Sequence, residues 1–422
     1  MKLEEKTIEI LKEPICNNCL GRMLAAGLLS GMTNEERGKI IRNYVAFLLD
    51  SGEKAEVYWN NFYGFRFRNL KVTLQKPEKC KICKNFFREK LEEKANEIIK
   101  KLRDIDFDTF QLGTILSDEI ANEEEKLQDK ISADYSEPIK TEINREIGKI
   151  IERKTKKTFS AKNPDVTIIL DLQNSRIKTE IRSLFVYGKY QKLKRGIPQT
   201  KWICSNCNGK GCTVCKGTGK LYKTSVQEEI EKNFLKAADA KKSKFHGAGR
   251  EDIDARNLDW RPFVIELVKP QKRKIDLKKI QKKADKNKKV KIKSLKFADK
   301  DLVNKIKFAK IDKTYEAEVV FSKDIDKKKL KELKKLRTTI MQQTPTRVVH
   351  RRANILRKRQ LKKISWKIKS KKKIIFTIRG ESGLYIKELI TGDEGRTKPN
   401  AADILGNRVK KIKLDVVKIH CK

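Results

Sequence analysis

The residues with the type and spacing to do chemistry fall into two groups: cysteine pairs, and carboxylates set beside cations. Cys204-Ser205-Asn206-Cys207 and Cys212-Thr213-Val214-Cys215 place four cysteines within twelve residues, interspersed with Gly209, Gly211, Gly217 and Gly219. A C-x-x-C turn presents two thiolates to one tetrahedral ion, and glycines let the backbone wrap the metal and aim amides at the sulfurs. Cys16 and Cys19 form a second pair with Cys80 and Cys83, across a long insertion. Two structural zinc ions are expected, because four protein thiolates leave no coordination position open for substrate. Similar repeats occur in the cysteine-rich region of some chaperones, so the motif names a metal and not a function. Cys421 is left over.

The second group lies between Phe245 and Phe263. Arg250, Glu251, Asp252, Asp254 and Arg256 interleave acid and base just after the Gly247-Ala248-Gly249 bend. A glycine-hinged turn feeding an apolar strand, here Phe263 to Val268, can hold a carboxylate in a cleft beside a cation. On pattern alone a solvated surface loop held by salt bridges fits equally well. Only His246, His350 and His420 are present, which disfavours chemistry resting on several imidazoles. No P-loop occurs, nor a G-x-G-x-x-G after a strand, so no nucleotide cofactor is expected.

These groups need elements to position them. Ser225 and Glu228 make a capping box for a helix carrying Ile230, Phe234 and Ala238 on one face. Further helices are expected over Glu4 to Lys12, Glu92 to Arg103 and Ser136 to Lys154. Strands are expected over Asp165 to Leu172, Ser183 to Gly188 and Ile374 to Ile378, and over Lys313 to Phe321 with Tyr315, Ala317, Val319 and Phe321 on one face. Leu330, Leu333, Leu336 and Ile340 suggest one more helix. Helices followed by clustered strands indicate an α+β, multidomain chain.

Charge narrows the partners. With 101 Lys+Arg against 56 Asp+Glu, the formal charge is +45, which points to a polyanion. Residues 271–300 alone contain fourteen Lys/Arg against three Asp. The run Lys189 to Gly196, with Tyr187 and Tyr190 nearby, suits RNA backbone contact and base stacking, or else a solvated edge with its tyrosines half in the core. Gln343 to Arg352 reads as a basic loop suited to RNA phosphates. No apolar run has membrane-spanning length, and Met1-Lys2-Leu3-Glu4-Glu5 lacks the apolar core of a signal peptide, so a cytoplasmic protein without a membrane partner is expected. Nothing in the pattern indicates an oligomeric state.

Taken in order, Gly249 to Arg256, Gln343 to Arg352, Ser382 to Leu389 and Gly392 to Thr397 resemble the archaeal tRNA pseudouridine synthase family that modifies uridines 54 and 55 in the T-loop (pseudouridine synthase ten). Asn163-Pro164-Asp165 through Gln199-Thr200-Lys201-Trp202 looks like the end of that family's THUMP module. The resemblance implies four parts: a zinc-binding region over 1–90, a THUMP-like RNA-binding module over 91–200, a zinc knuckle over 201–220, and a catalytic domain with a mixed, mainly antiparallel sheet over 221–422. It implies tRNA, through its T-arm, as partner and no cofactor for catalysis beyond structural zinc. It makes Asp252, of Arg250-Glu251-Asp252, the catalytic aspartate, with Asp254 the competing candidate. Tyr315 would stack on the target base and assist loss of its C5 proton, and Lys387 would pair with the aspartate. Arg250, Tyr315, Arg347, His350 and Arg351 are the expected substrate contacts. A non-catalytic zinc-dependent RNA-binding protein is the main alternative; a THUMP-bearing RNA methyltransferase lacks its glycine-rich cofactor loop here.

Overall fold

A computed structural model describes residues 2–24, 30–132 and 136–420; Cys421 lies outside these residues, as does the side chain of Arg351. The chain divides into two compact units, Met1–Arg182 and Ser183–Lys422. No helix among the described residues is long and apolar enough to cross a membrane.

The first unit opens with helices Leu3–Leu11, Asn17–Met23 and Asn34–Asp50. The last begins in a capping box between Thr33 and Glu36. Its four-stranded sheet runs in the order Thr158–Phe159, Thr109–Ile115, Val166–Asp171, Arg176–Ile181. The first two pairings are parallel and the third antiparallel. Helix Ile139–Thr155 packs on strand Thr109–Ile115 and on helix Leu91–Leu102. Ile143, Ile147 and Ile151 recur at helical spacing on its buried face, in the core that also holds Phe110, Val166 and Ile168.

The second unit is built on one ten-stranded sheet. From one edge the order is Thr397–Lys398, Thr339–Gln343, Leu356–Ser370, Lys373–Gly380, Lys313–Phe321, Val409–Ile419, Arg256–Val268, Leu184–Lys192, Val290–Ala298. Lys242–Gly247 also pairs with Arg256–Val268. Among the described residues, every pairing in this sheet is antiparallel except that of Val409–Ile419 with Arg256–Val268. The mixed, mainly antiparallel α+β architecture is therefore present.

Two local readings change. Strand Leu184–Lys192 falls inside the stretch expected as one module, yet it pairs with Arg256–Val268 in the second unit. Its even positions alternate inward from Leu184. That period buries Tyr190 and Lys192 completely, so the run Lys189 to Gly196 is not the open RNA-stacking surface its composition suggested. The helix expected through Ile340 is instead a 3-10 turn, Lys329–Leu336, followed by strand Thr339–Gln343. Leu330, Leu333 and Leu336 are buried at i, i+3 spacing, which the tighter helix serves as well, while Ile340 faces inward from the strand. The lysine-dense tract is ordered as helix Leu277–Ala284 and strand Val290–Ala298.

Candidate active site

The interleaved acids occupy the loop between strands Lys242–Gly247 and Arg256–Val268, at the edge of a cleft of about 660 Å³. The loop starts from Gly249, whose φ of +75° is left-handed, where a side chain would be strained and would crowd the Lys313 ammonium at 3.3 Å. Asp252 and Asp254 lie in a turn, and both face Lys387.

Asp252 sits between two cations. Arg347 donates through Nη1 to its Oδ1 at 2.9 Å, and the Lys387 ammonium lies 3.5 Å from Oδ2. Arg347 is itself anchored, because its Nε donates at 2.6 Å to the buried carboxylate of Glu388. Burial acts against the Arg347 charge, but Glu388 and Asp252 together hold the guanidinium strongly protonated. Lys387 makes its shorter contacts with Asp254, at 2.7 and 2.8 Å. Burial pushes the Asp254 carboxyl up, yet Lys387 and Arg347 outweigh it and hold the group below its usual range. The exposures differ: the Asp252 side chain is 28% accessible and that of Asp254 is 60%.

Beneath the loop lies a buried polar layer. Glu251 and Arg261 form an ion pair at 3.1 Å with both side chains at 0% exposure. Tyr190 donates its hydroxyl to Glu251 at 3.0 Å and is wedged against Phe245 and Phe263. Gln199 donates to the Tyr190 hydroxyl and to the Gly249 carbonyl. The Lys192 ammonium donates to the carbonyls of both Asp252 and Ile253, each at 3.0 Å. Burial lowers the Lys192 pKa to about 8, against the upward pull of Glu251, Asp252 and Asp254. A buried charge needs such a full set of partners to be tolerated.

Tyr315 lines the cleft from the middle strand Lys313–Phe321. Burial is the main cause that pushes its phenol up to about 12; Arg261 opposes this and Asp252 adds to it. The cleft is also lined by Arg250, Arg352, Arg357 and Arg359, and Tyr385 accepts a hydrogen bond from Arg352 at 2.8 Å. Gln342 fixes the Tyr385 backbone through both amide and carbonyl.

The structure thus brings Asp252, Asp254, Tyr315, Lys387, Arg250 and Arg347 to one cleft. His350 is exposed on the neighbouring 3-10 turn Thr346–Arg351 and is not among the cleft's lining residues, whereas Arg347 and buried Val348 of the same turn are. Arg351 is on the same turn, with its side chain outside the described residues. Sequence reasoning missed Lys192, Arg261 and Glu388, and the buried pairing of Glu251. A period-2 signal was available for Lys192, since Leu184 and Val186 already set the inward face.

The cysteine sets converge as well. The four sulfurs of Cys16, Cys19, Cys80 and Cys83 lie within 4.8 Å of one another, as do those of Cys204, Cys207, Cys212 and Cys215. Sγ···Sγ separations of 3.6 Å for Cys16–Cys83 and 3.7 to 3.9 Å in the second set are far longer than a disulfide. They match the edge of about 3.8 Å that a tetrahedron with Zn–S bonds of about 2.3 Å would have. Amides of Gly211, Cys212 and Gly219 point at the knuckle sulfurs at 3.1 to 3.2 Å. Gly211 needs its glycine: φ is +98°, and a Cβ would stand 2.8 Å from the Gly217 carbonyl oxygen. Both donor sets fit a four-thiolate metal ion.

The family described as "Pus10, C-terminal" matches residues 185–420, and "Pus10 THUMP domain, archaeal" matches residues 94–171. The chain belongs to the Pus10 family of tRNA pseudouridine synthases. It is 40% identical to "tRNA pseudouridine synthase Pus10" of Methanothrix thermoacetophila, over 96% of this chain and 92% of the relative. The same-named protein of Methanocaldococcus jannaschii is 39% identical over 98% of this chain and 93% of its own length. That of Archaeoglobus fulgidus is 40% identical over 81% and 95%. The Pus10 THUMP match covers much of the first unit's α/β portion, and the C-terminal match begins at the strand Leu184–Lys192.

Proposed function

We propose that this Pus10-family enzyme isomerises uridine 54, uridine 55 or both in the T-loop of tRNA, with Asp252 as the catalytic carboxylate. The observation that carries the reading is the position of Asp252, between Arg347 and Lys387 in the cleft that Tyr315 lines. Cations on both sides favour the ionised carboxylate. The reaction breaks the bond from uracil N1 to the ribose, turns the base and joins C5 to the same sugar carbon, releasing the C5 proton. An ionised aspartate can start this as nucleophile at the ribose or as base there, and both routes need it unprotonated. The target base must leave its stack to reach the carboxylate. Arg250, Arg352, Arg357 and Arg359 line the cleft and suit the flanking phosphates.

Tyr315 stays a neutral phenol near pH 7, because burial raises it to about 12. Its ring suits stacking on the target base. A neutral phenol is a weak base, so its environment supports the stacking role better than direct removal of the C5 proton. Two structural zinc ions would hold the thiolate sets; they would stiffen the local backbone and leave the carboxylate chemistry to Asp252.

A second reading puts Asp254 in the catalytic role, favoured by the shorter contacts of Lys387 with it. Its greater exposure weighs against this, as does the direct hydrogen bond that Arg347 gives to Asp252, since a closed site strengthens charge interactions. Incubating the chain with an unmodified tRNA transcript and mapping pseudouridine by position tests the proposal. Product at 54 or 55 is expected, and product confined to other arms would overturn the T-loop assignment.

A further inference from the structure

Trp202 plays no part in the chemistry above, yet it lines the same cleft, beside Thr200, Gly249 and Arg250. Both ends of the segment that carries it are pinned. On one side, Gln199 donates to the Gly249 carbonyl at 2.8 Å, and the amides of Val226 and Gln227 donate to the carbonyls of Pro198 and Gln199, each at 2.9 Å. On the other, the metal knuckle closes. Ile203 and Lys220 form an antiparallel bridge, the Cys204 amide donates to Gly219, and the Leu221 amide donates to the Trp202 carbonyl at 3.0 Å. On this two-stranded stalk the rings of Trp202 and Tyr222 pack edge to face, with centroids 5.5 Å apart. The indole is half-buried, packed at right angles to the Tyr222 ring, and the residue borders the cleft.

An indole fixed in place within an arginine-lined cleft offers what an unpaired base seeks, a flat face at little entropic cost with cations nearby for the adjoining phosphates. Every nucleobase has a π-face, so such a platform captures a splayed nucleotide without reading its identity. We propose that Trp202 is a stacking platform for an unpaired base of the substrate RNA, held at the Asp252 cleft by the knuckle of Cys204, Cys207, Cys212 and Cys215. The proposal rests on the reading that this cleft receives RNA. It also gives the knuckle a second role, because closure of its four cysteines on a metal ion would fix a wall of the substrate site.

The test uses the full-length chain and a T-arm stem-loop RNA, reading tryptophan emission during titration, RNA affinity by anisotropy, and steady-state kinetics. The chain has four tryptophans, so three remain as internal controls in Trp202→Phe. Addition of RNA should quench wild-type emission, and Trp202→Phe should lose that quench while keeping KM within about threefold, because phenylalanine still stacks. Trp202→Ala should raise KM about tenfold, the loss of one stacked base, with kcat nearly unchanged. Asp252→Asn should keep the full quench, so failure of the catalytic assignment and failure of the platform are read separately. An undiminished quench in Trp202→Phe would overturn the proposal. So would a KM as impaired in Trp202→Phe as in Trp202→Ala. Should the alanine variant not fold, the phenylalanine variant alone still decides through its quench.

Discussion

Lys192 is the residue whose chemistry was least visible and whose position is most demanding. Its ammonium holds the two carbonyls that set the turn carrying Asp252, while Glu251, Asp252, Asp254 and Arg261 contribute the surrounding charge. Burial brings its pKa from 10.5 to about 8. Between those values the unfolded chain binds a proton that the folded chain does not, so this group makes stability rise with pH over that window. Activity should move the other way, because loss of the ammonium above pH 8 weakens the clamp on the turn. A single-turnover pH profile should therefore fall through about pH 8 in the wild type. Lys192→Arg, which stays charged, should move that limb upward; an unmoved limb would show that Lys192 does not set it. That Asp252, Tyr315 and Lys387 would meet in one cleft was legible because the family resemblance gave their register. Glu388 and Arg261 were not, because a charged residue carries no local sign that its partner lies far away in sequence, as Glu388 does from Arg347.

At the scale of elements, the acid-bearing turn works because strands on both sides are fixed in the sheet. Arg256 forms ion pairs with Asp415 of the neighbouring parallel strand, and Arg195 reaches the same carboxylate. Most helices and strands were legible from periodicity: Ser225 caps helix Val226–Ala238 as its Ser-x-x-Glu pattern requires, and Ala317, Val319 and Phe321 face inward at period two. The segment from Leu330 to Ile340 was not, because a short apolar run at i, i+3 spacing fits α and 3-10 helices alike and gives no sign of the change to strand at Thr339. The thiolate sets are elements in their own right. Cys16, Cys19, Cys80 and Cys83 belong to the first unit and the other four to the second, so each should load independently. Metal analysis of the purified chain should give about two zinc ions, and a Cys204→Ala/Cys207→Ala double variant about one. A variant that still holds two, or a wild type that holds none, would contradict the assignment.

For the whole molecule, a formal charge of +45 makes phosphate contact the dominant long-range term in RNA binding. Cleft arginines and the ordered lysine tract should each displace counterions, so affinity for tRNA should fall about a thousandfold or more between about 50 and about 200 mM salt. A flat response would mean that few of these cations meet the backbone. The catalytic reading of the cleft turns on which carboxylate does the chemistry. The most direct measurement is site-resolved pseudouridine mapping on a tRNA transcript with wild type, Asp252→Asn and Asp254→Asn, alongside tRNA affinity. Asp252→Asn should lower the isomerisation rate by about 10²- to 10⁴-fold with affinity largely kept, and Asp254→Asn should retain most activity. An active Asp252→Asn beside an inactive Asp254→Asn would contradict the central claim.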